Sequence, residues 1–188
     1  MIFERIPLKF DIEKLREHVR DHVLHLQPQM VGKFFGGWSV LSATGSYLDG
    51  WASGERAYQP EFMPGATMEE KFTALGVRAP SDYVKPTEIC SGYLSEVILA
   101  IRDAGLRPSR ARLSLLKAHG RSTLHRDGPE DQYVVRLHVP ILSNEACLFT
   151  CEEGSAHLAA TGDSYLLRVN RMHQVTNDSD QDRIHLIM

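Results

Sequence analysis

From Pro108 onward the chain is cut into short β-prone runs: "ARLSLLKAHG", "YVVRLHVPIL", "EACLFTCEEG", "SAHLAA", "DSYLLRVN", "HQVTN" and "RIHLIM", each set off by turn residues. Strands this short and this evenly spaced have to fold back on one another, which predicts an antiparallel sandwich or barrel. The preceding residues have a different character. "DIEKLREHVRDHVLHL" puts Ile12, Leu15, Val19, Val23 and Leu26 on one stripe behind Asp11 as N-cap, which predicts a helix over 11–26. "SGYLSEVILAIRDAGL" predicts a second amphipathic helix, with Ser91 as cap and Gly105 as stop. A strand is expected in "GGWSVLSATG", and residues 49–90 read as long loops with a short helix near Met68–Leu75.

A chain of 188 residues has room for one well-buried core and not for two. The expectation is therefore a single β-dominated α+β domain over 1–188. Residues 1–108 would supply helices, a first strand and loops packed on the outside, and 109–188 the strand core. Net charge is −3 and the isoelectric point about 6.3, so there is no electrostatic footprint for nucleic acid. No apolar run reaches the ~18–20 residues of a membrane span, and "MIFERIPLKF" lacks the apolar centre of a signal peptide. Cys90, Cys147 and Cys151 are odd in number and form no C-x-x-C pair, so the expected setting is reduced and cytoplasmic.

Within the strand region, "TLHRDGP" places His125 and Asp127 two apart, so in extended backbone both side chains point the same way. A protein-kinase catalytic loop needs an Asn five residues beyond the Asp; Gln132 stands there, and no glycine-rich loop or DFG accompanies it. That leaves a charged turn or a metal clip. A facial 2-His-1-carboxylate triad holds iron(II) on one face and leaves the other open. It needs a second histidine, and His173 lies 48 residues downstream, after a predicted strand.

The basic residues bear on the choice. In "YVVRLHVPI", Arg136 and His138 share a face opposite Val135, Leu137, Val139 and Ile141; in "DRIHLIM", Arg183 and His185 lie opposite Ile184, Leu186 and Met188. Such faces are either solvated or share an anion, because a buried arginine is costly unless paired. A small dicarboxylate that chelates the metal at one end would need an arginine at the other, where a guanidinium matches a carboxylate in a bidentate way. Arg183 comes ten residues after His173.

Residues 111–188, through "RARLSLLKAHGRSTLHRDGP", "RLHVPI" and "GDSYLLRVNRMHQVTNDSDQDRIHLI", resemble the aspartyl/asparaginyl β-hydroxylase family of iron(II)- and 2-oxoglutarate-dependent dioxygenases. Before Pro108 the likeness is limited to the Gly-x-Trp of "FGGWSV". The resemblance implies a double-stranded β-helix, a cupin-like jelly roll. It implies His125, Asp127 and His173 as the catalytic iron ligands and Arg183 on the distal carboxylate of 2-oxoglutarate. Ser114, eleven residues before His125, would assist Arg183, and Arg136 and His138 would lie near the cosubstrate. Dioxygen would be the co-reactant. Asp127 is a departure from the vertebrate peptide-modifying members, which lack the acidic ligand, and its carboxylate favours hydroxylation over halogenation. The two extra residues between His125 and Arg136 loosen the match at Arg136.

The implied substrate is a small molecule, most plausibly a free amino acid or derivative. A peptide- or carrier-bound residue and a non-catalytic cupin-like binding module are the alternatives. No nucleic-acid or membrane partner is expected, and the oligomeric state is open, a homodimer being one option. Arg121 and Arg126 could take a substrate carboxylate, and Trp38 and Trp51 could line a pocket, although core packing is commoner for tryptophan. His18, His22 and His25 read as a solvated helix edge, His119 and His157 as ordinary polar groups, and Cys147 and Cys151 as buried packing.

Overall fold

The computed structural model describes residues 2–50, 61–128, 131 and 133–188. In chain order the elements are β1 (Phe3–Lys9), α1 (Ile12–His22), β2 (Gln29–Met30), β3 (Phe35–Ser39), β4 (Leu41–Ser42), α2 (Met68–Ala74), β5 (Lys85–Pro86) and α3 (Gly92–Asp103). There follow β6 (Arg112–Leu116), β7 (Val135–Leu142), β8 (Cys147–Cys151), β9 (Gly154–His157), β10 (Asp163–Arg168), β11 (His173–Asn177) and β12 (Arg183–Ile187). A seven-stranded sheet runs β1-β10-β7-β12-β6-β3-β2, and a three-stranded sheet runs β11-β8-β9. Bridges Arg121–Thr176 and His125–His173 lay residues 121–125 beside β11.

From β6 onward the chain passes back and forth between the two sheets. β6, β7, β10 and β12 enter the large one, and residues 121–125, β8, β9 and β11 the small one. Every ladder is antiparallel. This alternation is a double-stranded β-helix with α1 and α3 outside it, an antiparallel barrel as the strand cadence predicts and of the kind that the family resemblance implies. The strand expected in "GGWSVLSATG" divides into β3 and β4, and β1 is an addition that the sequence pattern does not announce.

The helices follow their signals with two differences. Asp11 caps α1 by accepting from the Glu13 and Lys14 amides, but the helix ends at His22 rather than at 26. Ser91 stands at the N-cap of α3 without a side-chain cap bond. α2 carries a full capping box between Thr67 and Glu70.

The core explains why the large sheet is apolar on one side. Leu113, Leu115, Val139, Ile141, Ile184 and Leu186 pack against Leu15 and Val19 of α1 and Leu94, Val97 and Ile101 of α3. Each such side chain contributes about 1.5–3 kcal/mol by leaving water. A smaller cluster, Phe149, Leu158, Tyr165, Leu167 and Val169, belongs to the interior between the sheets. The opposite faces of β7 and β12 are not solvated: His138, Arg183 and His185 are all buried. They lie on the side of the large sheet that faces the hollow between the sheets.

Trp38 belongs to the core, its Nε1 donating to Leu26 O at 3.1 Å, and Trp51 lies outside the described residues. His18 departs from the expected solvated edge. It is buried and bonded through Nε2 to Ile89 O at 3.0 Å, because the loop leading into α3 covers it. Cys147 is buried and Cys151 partly so.

Candidate metal centre

The narrow pairing of residues 121–125 with β11 sets the two histidines side by side. His125 N donates to His173 O at 3.0 Å and His173 N to His125 O at 2.8 Å, leaving the ring centroids 4.4 Å apart. Asp127 is anchored through its amide to Val169 O at 2.7 Å, which turns its carboxylate toward the pair. The nearest ring-to-carboxylate distances are 3.9 Å from His125 Nε2 to Oδ1 and 3.9 Å from His173 Nε2 to Oδ2. One donor atom from each of the three residues lies within 4.8 Å of the others.

The protonation pattern suits a cation. His125 Nδ1 contacts Thr123 O at 2.8 Å and His173 Nδ1 contacts Arg171 O at 2.9 Å. A carbonyl only accepts, so each Nδ1 carries the hydrogen and each Nε2 presents its lone pair to the centre. Burial, above all, lowers the His173 pKa and favours the neutral ring, and Phe149 stacks on it at 5.1 Å. Asp127 Oδ2 is buried without a hydrogen bond. Arg136 Nη2 lies 3.1 Å away, an ion pair at hydrogen-bond distance but without the alignment of a bond. Two imidazoles with Nε2 turned to the centre and an incompletely satisfied carboxylate make a donor set fitted to a divalent metal of borderline softness, iron(II) included.

A second set of groups lines the same hollow: Ser114, Arg136, His138 and Arg183. Arg183 is 3% exposed, and among the described residues no carboxylate pairs with it. Burial brings its pKa down to about 10. Ser114 Oγ is likewise buried without a hydrogen-bond partner. A buried guanidinium and an unsatisfied hydroxyl together fit a carboxylate that enters from outside. His138 is held neutral, first by burial and then by the charge of Arg183.

Arg121 is not brought into this hollow; it is largely exposed and lies 3.7 Å from Asp178. Arg126 is exposed beside the triad. His119 pairs with Asp180 at 2.9 Å on the surface, and His157 is bonded to Cys147 O at 3.2 Å. Three residues were not singled out as site groups from the sequence. Phe149 forms a wall of the hollow. Arg112, two residues before Ser114, is buried near Arg136 and Asp127. His185 bonds to Arg183. The two-residue alternation that exposed Arg136 and Arg183 contains the signal for Arg112 as well.

The protein-family model described as aspartyl/asparaginyl beta-hydroxylase matches residues 84–188. No curated protein matches the chain. Among solved structures, it is similar to a 2-oxoglutarate–Fe(II) oxygenase-family oxidoreductase from Burkholderia pseudomallei, at 11% identity and TM-score 0.49, over 99% of this chain and 82% of that one. It is similar to a Pseudomonas putida prolyl-4-hydroxylase at 12% identity and TM-score 0.47, over 99% and 90% of the two chains. A cupin domain from Bordetella pertussis matches at 22% identity and TM-score 0.33, over 44% of this chain and 82% of that one. The fold assignment rests on the strand order itself. With a family match covering more than half of the sequence, the chain belongs to the aspartyl/asparaginyl β-hydroxylase family of iron(II)- and 2-oxoglutarate-dependent dioxygenases.

Proposed function

We propose that this protein hydroxylates an unactivated C–H bond of a small, amino-acid-like substrate, using iron(II) held by His125, Asp127 and His173 and 2-oxoglutarate held by Arg183 and Ser114. The observation that carries the reading is the meeting of two buried sets of groups in one hollow. A His-Asp-His cluster has its lone pairs turned inward, and beside it lies a buried arginine without a carboxylate among the described residues. Neither set is explained by the fold's own stability, since both leave buried polar atoms unsatisfied.

When bound, iron(II) and 2-oxoglutarate supply the activation of dioxygen, one oxygen atom going to the substrate and the other to succinate, with carbon dioxide released. The chain's own residues do the rest. His125 and His173 offer Nε2 to the metal, their rings held by the Nδ1 contacts to Thr123 O and Arg171 O. Asp127 supplies one negative charge, lowering the net charge at the metal. Arg183 and Ser114 would hold the distal carboxylate of the cosubstrate, with Arg136 and His138 lining the same hollow. Phe149, Val169 and Val175 wall the hollow with apolar surface and keep water from the reacting groups.

The small-substrate part of the reading is supported by the narrowness of the hollow and by charge. Once a metal engages Asp127, that carboxylate offsets the cation of Arg136 less fully. A free amino acid carries a carboxylate suited to that cation. The test is succinate formation by the iron-loaded protein with each of the twenty amino acids in turn, with mass spectrometry for a product gaining one oxygen. Substrate-stimulated turnover with a free amino acid supports the proposal. Turnover only with peptide or carrier-bound residues moves the assignment to those substrates, and ligand binding without turnover leaves a binding module.

A further inference from the structure

Arg183 and His185 lie two apart on β12, so both stand on the same face of the strand, and Arg183 lines the hollow. Arg183 Nη2 is 2.8 Å from His185 Nδ1. A guanidinium has only donors, so this ring nitrogen must be the acceptor, and His185 is therefore neutral with its hydrogen on Nε2. His185 is 1% exposed. Opposite it across the β6–β12 ladder is Ser114. The His138 ring stands edge-on to it at 5.8 Å, with Nδ1 3.5 Å from the same nitrogen. The imidazole thus sits among the groups assigned to the cosubstrate, although it is not itself required to touch the ligand.

An arginine side chain is long and has many rotamers, and a buried one can hold a carboxylate in register only if its fork is fixed. Among the described residues no carboxylate does that for Arg183, and its guanidinium hydrogen-bonds instead to His185. We infer that His185 is a positioning residue, whose Nδ1 lone pair fixes the Arg183 guanidinium so that its remaining N–H groups and the Ser114 hydroxyl converge on one carboxylate of the cosubstrate. This rests on the proposed role of Arg183. It adds that selectivity for a 2-oxo acid with a distal carboxylate depends on an unprotonated ring nitrogen outside the ligand's own contacts.

The chemistry makes a distinctive prediction about substitutions. In His185→Asn the side-chain oxygen can stand where Nδ1 stands, because both are attached to Cγ. In His185→Gln the oxygen falls where Nε2 stands, and His185→Leu has no acceptor. The full-length protein, loaded with iron(II) without oxygen, is titrated with 2-oxoglutarate and separately with pyruvate, which lacks the distal carboxylate. Binding is followed by the visible metal-to-ligand absorption. The expected result is that His185→Leu and His185→Gln lose on the order of 10-fold or more in affinity for 2-oxoglutarate. His185→Asn stays within about threefold of the parent, and pyruvate binding changes little in any variant.

Equal losses for both ligands, no loss in His185→Leu, or equal behaviour of Asn and Gln would each overturn the positioning role. If His185→Leu fails to fold, the Asn–Gln contrast decides the matter. Arg183→Ala separates the two levels of the argument: unchanged 2-oxoglutarate affinity there removes the assignment of Arg183 itself. A loss in Arg183→Ala with none in the His185 variants removes only the inference about His185.

Discussion

Asp127 is the residue on which the centre turns. It stands 3.1 Å from Arg136 and 3.9 Å from each imidazole, and its buried Oδ2 lacks a hydrogen bond. Removing it leaves an uncompensated cation at Arg136 but takes away no packing from the apolar core. Asp127→Ala is therefore expected to abolish hydroxylation and weaken iron binding at least 10-fold while the circular-dichroism spectrum is retained. Wild-type turnover in that variant would contradict the ligand role. Arg183→Ala is expected to raise the 2-oxoglutarate KM by 10-fold or more with a smaller effect on kcat, and the KM–kcat split measures it. At this scale the sequence was informative where spacing carries the chemistry: His125 and Asp127 by their two-residue offset, and His173 by its place after a strand. Phe149 was not legible, because an aromatic residue in a strand reads the same whether it packs in a core or against a ligand.

β12 shows how one element serves two purposes. Ile184 and Leu186 enter the helix-side core while Arg183 and His185 enter the hollow, so all five residues of the strand are buried. From the sequence alone, the alternation identified two faces but could not show that the polar one was enclosed. Enclosure depends on the small sheet, whose contribution from residues 121–125 consists of isolated bridges and carries no strand signature. The Gly162-Asp163 pair, part of the family resemblance, turns out to be structural. Gly162 has φ +85, and a Cβ there would lie 2.0 Å from Phe10 O. Its own carbonyl accepts from Phe10 N at 2.9 Å, and Asp163 pairs with Arg5 and Lys9 of β1. The pair fastens β1 to the barrel, which is also why β1 was missed: its pairing depends on a partner more than 150 residues away. Gly162→Ala is expected to destabilise the fold by about 1–3 kcal/mol or more, measured by urea unfolding, with the metal-site residues unchanged.

For the whole molecule, the interior carries more cost than the fold alone requires. His18, His138 and His185 all have pKa values lowered from 6.5, chiefly by burial. Each stays neutral in the native state, while the unfolded chain takes up a proton below the ordinary value of 6.5. Stability from these groups is thus present above that pH and lost as pH falls below it. The midpoint of thermal unfolding is expected to drop between about pH 7.5 and about pH 5.5; a flat or rising trend would contradict the burial of these rings. The buried charge of Arg183 is a further cost that an incoming carboxylate would offset under the proposed function, so 2-oxoglutarate with a divalent metal is expected to raise the midpoint in the parent and much less in Arg183→Ala.

The most direct measurement is anaerobic titration of the protein with iron(II) in the presence of 2-oxoglutarate, read by visible absorption. The account predicts a metal-to-ligand band that saturates at one iron per chain and is lost in His173→Ala. Absence of the band in the parent protein, or its undiminished presence after His125, Asp127 and His173 are all replaced by alanine, would contradict a single ferrous centre at these residues.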